Sequence, residues 1–128
     1  MGMMGPAAAS PDAYVQSLSG WHRDCVTMLR TAINAGARFD EILKWHNLVF
    51  LSNGPCILIH TEKTRILLGF WRGKRLAELE PRIKPSGKYE LGNITLLEDI
   101  LIEPADVTRL AAAAAVLNAE FGDPTRLS

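Results

Sequence analysis

The stretch 39–76, FDEILKWHNLVFLSNGPCILIHTEKTRILLGFWRGKRL, constrains the fold more than any other part of the chain. Three apolar runs, at 48–52, 56–60 and 65–71, are separated by short turn signals and read as a three-stranded antiparallel meander. Asn53-Gly54 is the strongest of those signals, because both residues accept positive φ at little cost. Pro55 lengthens that loop, since it has no N–H to give to a ladder. The polar tip 61–64 fits a four-residue hairpin loop.

Helices are expected on both sides of the meander. Ser10-Pro11-Asp12 combines an N-cap, a first-turn proline and an acid near the positive helix end, so a short helix should cover 11–18 and stop at Ser19-Gly20. A second should cover 20–35, with Trp21, Cys25, Met28, Leu29, Ala32 and Ile33 on one face and Gly36 as its terminator. The segment 39–45 is ambiguous between a helical turn and an extended lead-in. After the meander, 73–80 suggests a short helix with Leu76 and Leu79 inward, and 81–91 a polar loop. A fourth strand is expected at 93–97 and a short fifth at 100–102. Pro104 opens a final helix to Phe121, with Val107, Leu110, Ala114, Leu117 and Phe121 as an amphipathic stripe facing the sheet. Two N-terminal helices, an antiparallel sheet of four to five strands and a C-terminal helix packed on it make an α+β domain. Its expected organisation is a leader at 1–10, a single domain at 11–122 and a tail at 123–128.

At 128 residues, 48% of them hydrophobic, the chain can bury a core. Fourteen basic and fourteen acidic residues cancel, so no nucleic-acid partner and no anionic membrane is expected. No apolar run approaches the ~20 residues of a membrane span. The opening MGMMGPAAAS lacks the basic and apolar regions of a signal peptide. With two cysteines, Cys25 and Cys56, and no paired Cys motif, a reducing cytoplasm is the expected compartment.

Several constellations could carry chemistry. His22 and Cys25 stand three apart on a helix, within reach of one metal, although Cys25 also belongs to the apolar stripe. Cys56 and His60 stand four apart on a strand, which by period two places both on one face with Leu58. Trp45, His46, Phe70 and Trp71 surround the sheet. They form either an ordinary aromatic core or an apolar pocket with His46 or Lys44 as its polar group. The segment 62–88 carries eight basic residues, Lys63, Arg65, Arg72, Lys74, Arg75, Arg82, Lys84 and Lys88. They are either a phosphate- or carboxylate-binding patch or a solvated face. Glu90, Glu98, Asp99, Glu103 and Asp106 are clustered in sequence and could hold a hard cation if the fold groups them. No Ser-His-Asp order, HExxH, GxSxG, GxGxxG or P-loop pattern occurs, which lowers the expectation of an enzyme.

Taken in order, several short motifs between Asp12 and Asn118 resemble the YdhG-like family of small bacterial domains. PDAYVQSLSGWHRDCVTMLRTAI is similar to its Asp-x-Tyr opening. EILKWHNLVFLSNG is similar to its Lys-Trp-x-x-Pro-x-Phe stretch, through Lys44, Trp45, Val49 and Phe50, with Asn47 and Leu48 where the family has its proline. ILLGFWRGKRL resembles its Gly-Phe-x-x-Gly strand end, through Gly69, Phe70 and Gly73. SGKYELGNITL resembles its Gly-Lys loop, through Gly87 and Lys88, and AAAVLN the end of its last helix. The Arg-His pair that often follows that loop is replaced by Glu90, Leu91 and Gly92. The resemblance implies a helix–helix–sheet–helix fold. For some relatives it also implies a frataxin-like role in iron delivery, although the first two helices carry only Asp12 and Asp24 as acids.

The leading expectation is therefore a non-enzymatic binding module for a small ligand or protein partner, with Lys44, Trp45, His46, Phe70, Trp71 and Lys88 at the site. The alternative is an iron-binding protein using Glu98, Asp99 and Glu103. Exposed edge strands make a homodimer possible.

Overall fold

The computed structural model describes residues 10–87 and 89–126. The elements are helices α1 (Pro11–Ser17) and α2 (Gly20–Gly36), strands β1 (Asp40–Lys44), β2 (Asn47–Leu51), β3 (Pro55–Thr61) and β4 (Ile66–Phe70), helix α3 (Gly73–Leu76), strands β5 (Lys84–Pro85) and β6 (Gly92–Leu96), helix α4 (Pro104–Phe121) and a 3₁₀ turn (Pro124–Arg126). The strands form one sheet in the order β1-β2-β3-β4-β6-β5, and every neighbouring pair is antiparallel. The α+β reading holds. The sheet has six strands rather than four or five, because the ambiguous 39–45 segment is the strand β1 and the supposed loop 81–91 contains the two-residue strand β5. Among the described residues, no helix is long and apolar enough to cross a membrane.

The helices cover one face of the sheet. Alternate positions, such as Leu48 and Phe50 of β2, Ile57 and Ile59 of β3 and Ile66 and Leu68 of β4, share one core with Leu29 and Ile33 of α2 and Leu110 and Ala114 of α4. Gly36, expected to end α2, stays inside it. A Cβ there would lie 2.5 Å from the Thr108 carbonyl oxygen of α4, so this glycine permits close helix approach instead of a turn. Ala111 packs at the same crossing, and the Thr108 hydroxyl donates to the Ala32 carbonyl at 2.8 Å. Ser10 caps α1 as expected, accepting from the Ala13 N–H at 3.0 Å.

The turns depart from expectation in several places. Trp45 and His46 both take positive φ, 53° and 63°, and make a two-residue turn between β1 and β2. Neither residue type signals such a turn. Asn53 and Gly54 take the positive φ expected of them. The register between β2 and β3 shifts there, with Phe50 opposite Ile57 but Leu51 opposite Pro55. Cys56 is the extra residue of this bulge. The bulge breaks the period-two argument: Cys56 turns to α4, with Sγ 3.9 Å from the Ala114 carbonyl oxygen, whereas Leu58 and His60 lie on the opposite face. Helix α3 ends after one turn, and Leu79 is 50% exposed rather than inward. The chain instead turns Glu80 inward. Phe121 is likewise exposed, with the Arg75 guanidinium 4.3 Å above its ring.

Glu80 is buried, and its carboxylate accepts from Arg82 through Nε at 2.8 Å, Nη2 at 2.9 Å and the backbone N–H at 3.0 Å. Those bonds, the Arg82 side chain first, hold its pKa down at about 2, against an ordinary 4.5. A carboxyl whose folded pKa is depressed stabilises the fold above its unfolded value, and that contribution is lost as pH falls through the folded one. Urea unfolding at pH 6 and pH 2 should show Glu80→Gln about 1–2 kcal/mol less stable than the parent at pH 6, with the gap closing at pH 2. A gap that does not change with pH would assign the loss to packing.

Candidate functional site

The residues expected at one site are divided between opposite ends of the sheet. Lys44, Trp45 and His46 form the β1–β2 turn, where Trp45 is 72% exposed and Lys44 Nζ sits 4.5 Å over its ring. Phe70 pairs with Ile57 at the other end of the strands and is buried in the core under the helices. Trp71 follows it, half-buried, and Lys88 lies outside the described residues. The pairing of Leu48 with Ile59 and of Ile57 with Phe70 places the turn and Trp71 several strand positions apart.

A hollow does exist beside Trp71, on the sheet face that the helices leave open. Its floor is Gly69 in the middle of β4. A Cβ there would fall 2.8 Å from Asn93 Oδ1 and 3.2 Å from Leu58 Cγ, so only glycine leaves the dip between them. Leu58, Leu67, Trp71 and Leu91 supply apolar walls, and Asn47, His60, Ser86 and Asn93 supply polar groups around about 230 Å³. His60 is oriented by Asn47 Oδ1, 2.7 Å from Nδ1, and by Glu62 Oε2, 3.1 Å from Nε2. On the far side of Trp71 and Leu91 lies a second hollow of about 300 Å³, lined also by Arg72, Tyr89, Glu90, Pro124 and Thr125. Tyr89 is 74% exposed and has a φ of 63°.

The rim of this second hollow is built by a buried polar cluster. Arg72 is 3% exposed and Asn118 1%. Arg72 Nε donates to Asn118 Oδ1 at 3.0 Å and Nη2 to the Gly122 carbonyl at 2.8 Å. Asn118 Nδ2 lies within 3.1–3.5 Å of the carbonyl oxygens of Ser52, Asn53, Gly54 and Pro55. Asn53 returns a bond to the Asn118 carbonyl at 2.8 Å. Glu90 bridges Arg75, at 2.7 Å, and Arg72, at 3.5 Å. The Arg75 bond, with Arg72 behind it, holds the Glu90 carboxyl below the usual range.

Of the described basic residues in this segment only Arg72 is buried; Lys63, Arg65, Lys74, Arg75, Arg82 and Lys84 are exposed, and the arginines are paired with carboxylates. Arg65 pairs with Glu62, Arg72 and Arg75 with Glu90, and Arg82 with Glu80 and Asp106. Of the proposed metal ligands, Glu98 and Asp99 lie in the exposed turn after β6, and Glu103 stands at the start of α4. Among the described residues, no three His, Cys, Asp or Glu side chains are grouped to hold an ion. His22 bonds the Glu62 carbonyl oxygen through Nε2 at 2.7 Å rather than joining Cys25. Sequence reasoning missed Leu58, Gly69, Leu91 and Asn93. A glycine in the middle of a strand, which weakens the strand unless something must approach it, was the signal that could have found the floor.

Both cysteines are buried, Cys25 at 3% exposure and Cys56 at 2%, and burial pushes each thiol up to about 11. A thiol needs its thiolate to react. A disulfide exchange reagent at pH 8 should label both cysteines at least about 100-fold more slowly in native protein than in urea. Rapid native labelling of Cys56 would contradict its placement under α4.

No protein-family model and no curated protein matches the sequence. A solved structure does match: the crystal structure of YdhG, a DUF1801-family protein from Bacillus subtilis. It is 12% identical, with a TM-score of 0.65 over 88% of this chain and 93% of that one. At that identity the likeness speaks for architecture. The helix–helix–sheet–helix order implied by the short motifs is the one observed, with the short helix α3 set between β4 and β5, and the chain has the YdhG-like fold.

Proposed function

We propose that the chain is a binding module for a small, flat, partly apolar ligand that lies on the open sheet face against Trp71. The observation that carries this reading is the convergence, over a glycine floor, of apolar walls from Leu58, Leu67, Trp71 and Leu91 with the polar groups of Asn47, His60 and Asn93. Ligand sites have this composition: mostly apolar lining with a few placed hydrogen-bonding groups. The two hollows on either side of Trp71 and Leu91 give room for a ligand that reaches from the sheet face toward Tyr89. Binding is favoured over thiol chemistry because Cys56 is 2% exposed with its Sγ turned toward α4, and burial holds its thiol protonated. It is favoured over iron delivery because the described residues do not gather Glu98, Asp99 and Glu103 with a further ligand.

Anilinonaphthalene sulfonate, an apolar fluorophore with one anionic group, is a suitable first probe. It should bind native protein at one site, and Trp71→Ala should weaken it about tenfold or more, in keeping with the share a central aromatic anchor usually carries. Trp45→Ala should leave it unchanged. Equal loss in both variants, or loss only in Trp45→Ala, would move the site to the β1–β2 turn.

A further inference from the structure

Strand β1 is one end of the sheet, so one side of it has no neighbouring strand. Its sequence, Asp-Glu-Ile-Leu-Lys, has a property that a bare edge strand does not need. Laid antiparallel against itself about Ile42, it sets Asp40 opposite Lys44, Glu41 opposite Leu43 and Ile42 opposite Ile42. We propose that β1 pairs with β1 of a second copy of this chain in that register, joining two six-stranded sheets into one continuous sheet.

The backbone allows this register. Lys44 and Asn47 flank a two-residue turn, so they form a hydrogen-bonded pair, and by alternation so do Ile42 with Val49 and Asp40 with Leu51. Glu41 and Leu43 therefore aim their N–H and C=O groups away from β2. Pairing about Ile42 makes Glu41 and the partner's Leu43 exchange both bonds, and the same occurs at the symmetry-related pair. Two other registers also satisfy the backbone. Centring on Glu41 would oppose two glutamates, and centring on Leu43 would oppose Ile42 to the partner's Lys44. Only the register about Ile42 gives two Asp–Lys pairs, and directly opposite unlike charges stabilise antiparallel strands.

The side chains suit the arrangement. Asp40, Ile42 and Lys44 share the open face, and Ile42 is 39% exposed, large for an aliphatic residue in a strand. Among the described residues Asp40 has no ion-pair partner, while Lys44 has only the Trp45 ring. Glu41 is drawn to the helix face by Arg30 and by Asn34 Nδ2, at 2.7 Å, so its charge is already neutralised beside the joint. Charged side chains, lysine especially, ordinarily discourage pairing at a sheet edge. This one carries unlike charges in an order that is complementary to itself.

Sedimentation equilibrium over roughly 10 µM to 1 mM protein measures the association directly. The unaltered chain should form dimers that weaken with salt. Asp40→Lys or Lys44→Asp alone should weaken the dimer about tenfold or more, because each creates two like-charge pairs across the joint. The double variant Asp40→Lys with Lys44→Asp should restore it. Both positions are exposed, so circular dichroism should show all three variants folded. A chain that stays monomeric throughout, single reversals without effect, or a double variant no better than the singles would each overturn the proposal.

Discussion

The contact between Arg72 and Asn118 is where the end of strand β4, helix α4 and the β2–β3 turn are fastened together. Arg72 leaves the end of β4, Asn118 sits in the last turns of α4, and between them they bind the β2–β3 turn and the chain after α4. A guanidinium at 3% exposure is costly unless its donors are met, and here they meet an amide, a carbonyl and a carboxylate. Asn118 works in the other direction, its single NH₂ group serving a turn whose carbonyl oxygens all point inward around it. Among the described residues, no buried side-chain nitrogen or oxygen lacks a partner, so this cluster is a completed network rather than a source of strain.

The cleft depends on that fastening. Beside Arg72, Gly73 meets Gly92 backbone to backbone: a Cβ on Gly73 would lie 2.4 Å from the Gly92 amide nitrogen. The Lys74 N–H donates to the Glu90 carbonyl at 2.8 Å, and the Ser86 N–H to the Leu91 carbonyl at 3.0 Å. These contacts hold the segment that carries Tyr89, Glu90 and Leu91 against Trp71. The network thus positions the wall shared by the two hollows, while the open sheet face supplies the floor. A ligand bound there would be read by groups already locked in place by second contacts, as His60 is by Asn47 and Glu62.

Much of the architecture was legible in the residues because local signals and the global fold agree. Asn53-Gly54 predicts its own backbone, Ser10-Pro11 caps its helix, and the apolar runs at 56–60 and 65–71 mark two of the strands. The site was not legible, for three separate reasons. A bulge reverses the side of the sheet on which Cys56 lies, and no residue type announces a bulge of this kind. Trp45 and His46 look like pocket aromatics, yet they make a tight turn whose positive φ values Trp and His rarely adopt. Arg72 sits in a run of basic residues and Asn118 on a helix beside Glu120, so both read as surface. The contact between them spans 46 residues of sequence, and Asn118 bonds a turn 66 residues away at Ser52, which no local pattern encodes.

A double-mutant cycle on the network tests the account most directly. Arg72→Met and Asn118→Leu remove the polar groups at similar volume, and the pair together leaves no unmatched charge between them. The account predicts that each single change costs about 2–4 kcal/mol in urea unfolding, and that the double costs clearly less than the sum, with a coupling of about 1–3 kcal/mol. Single losses near zero, or losses that simply add, would mean that Arg72 and Asn118 are neighbours without being the joint between helix, turn and cleft.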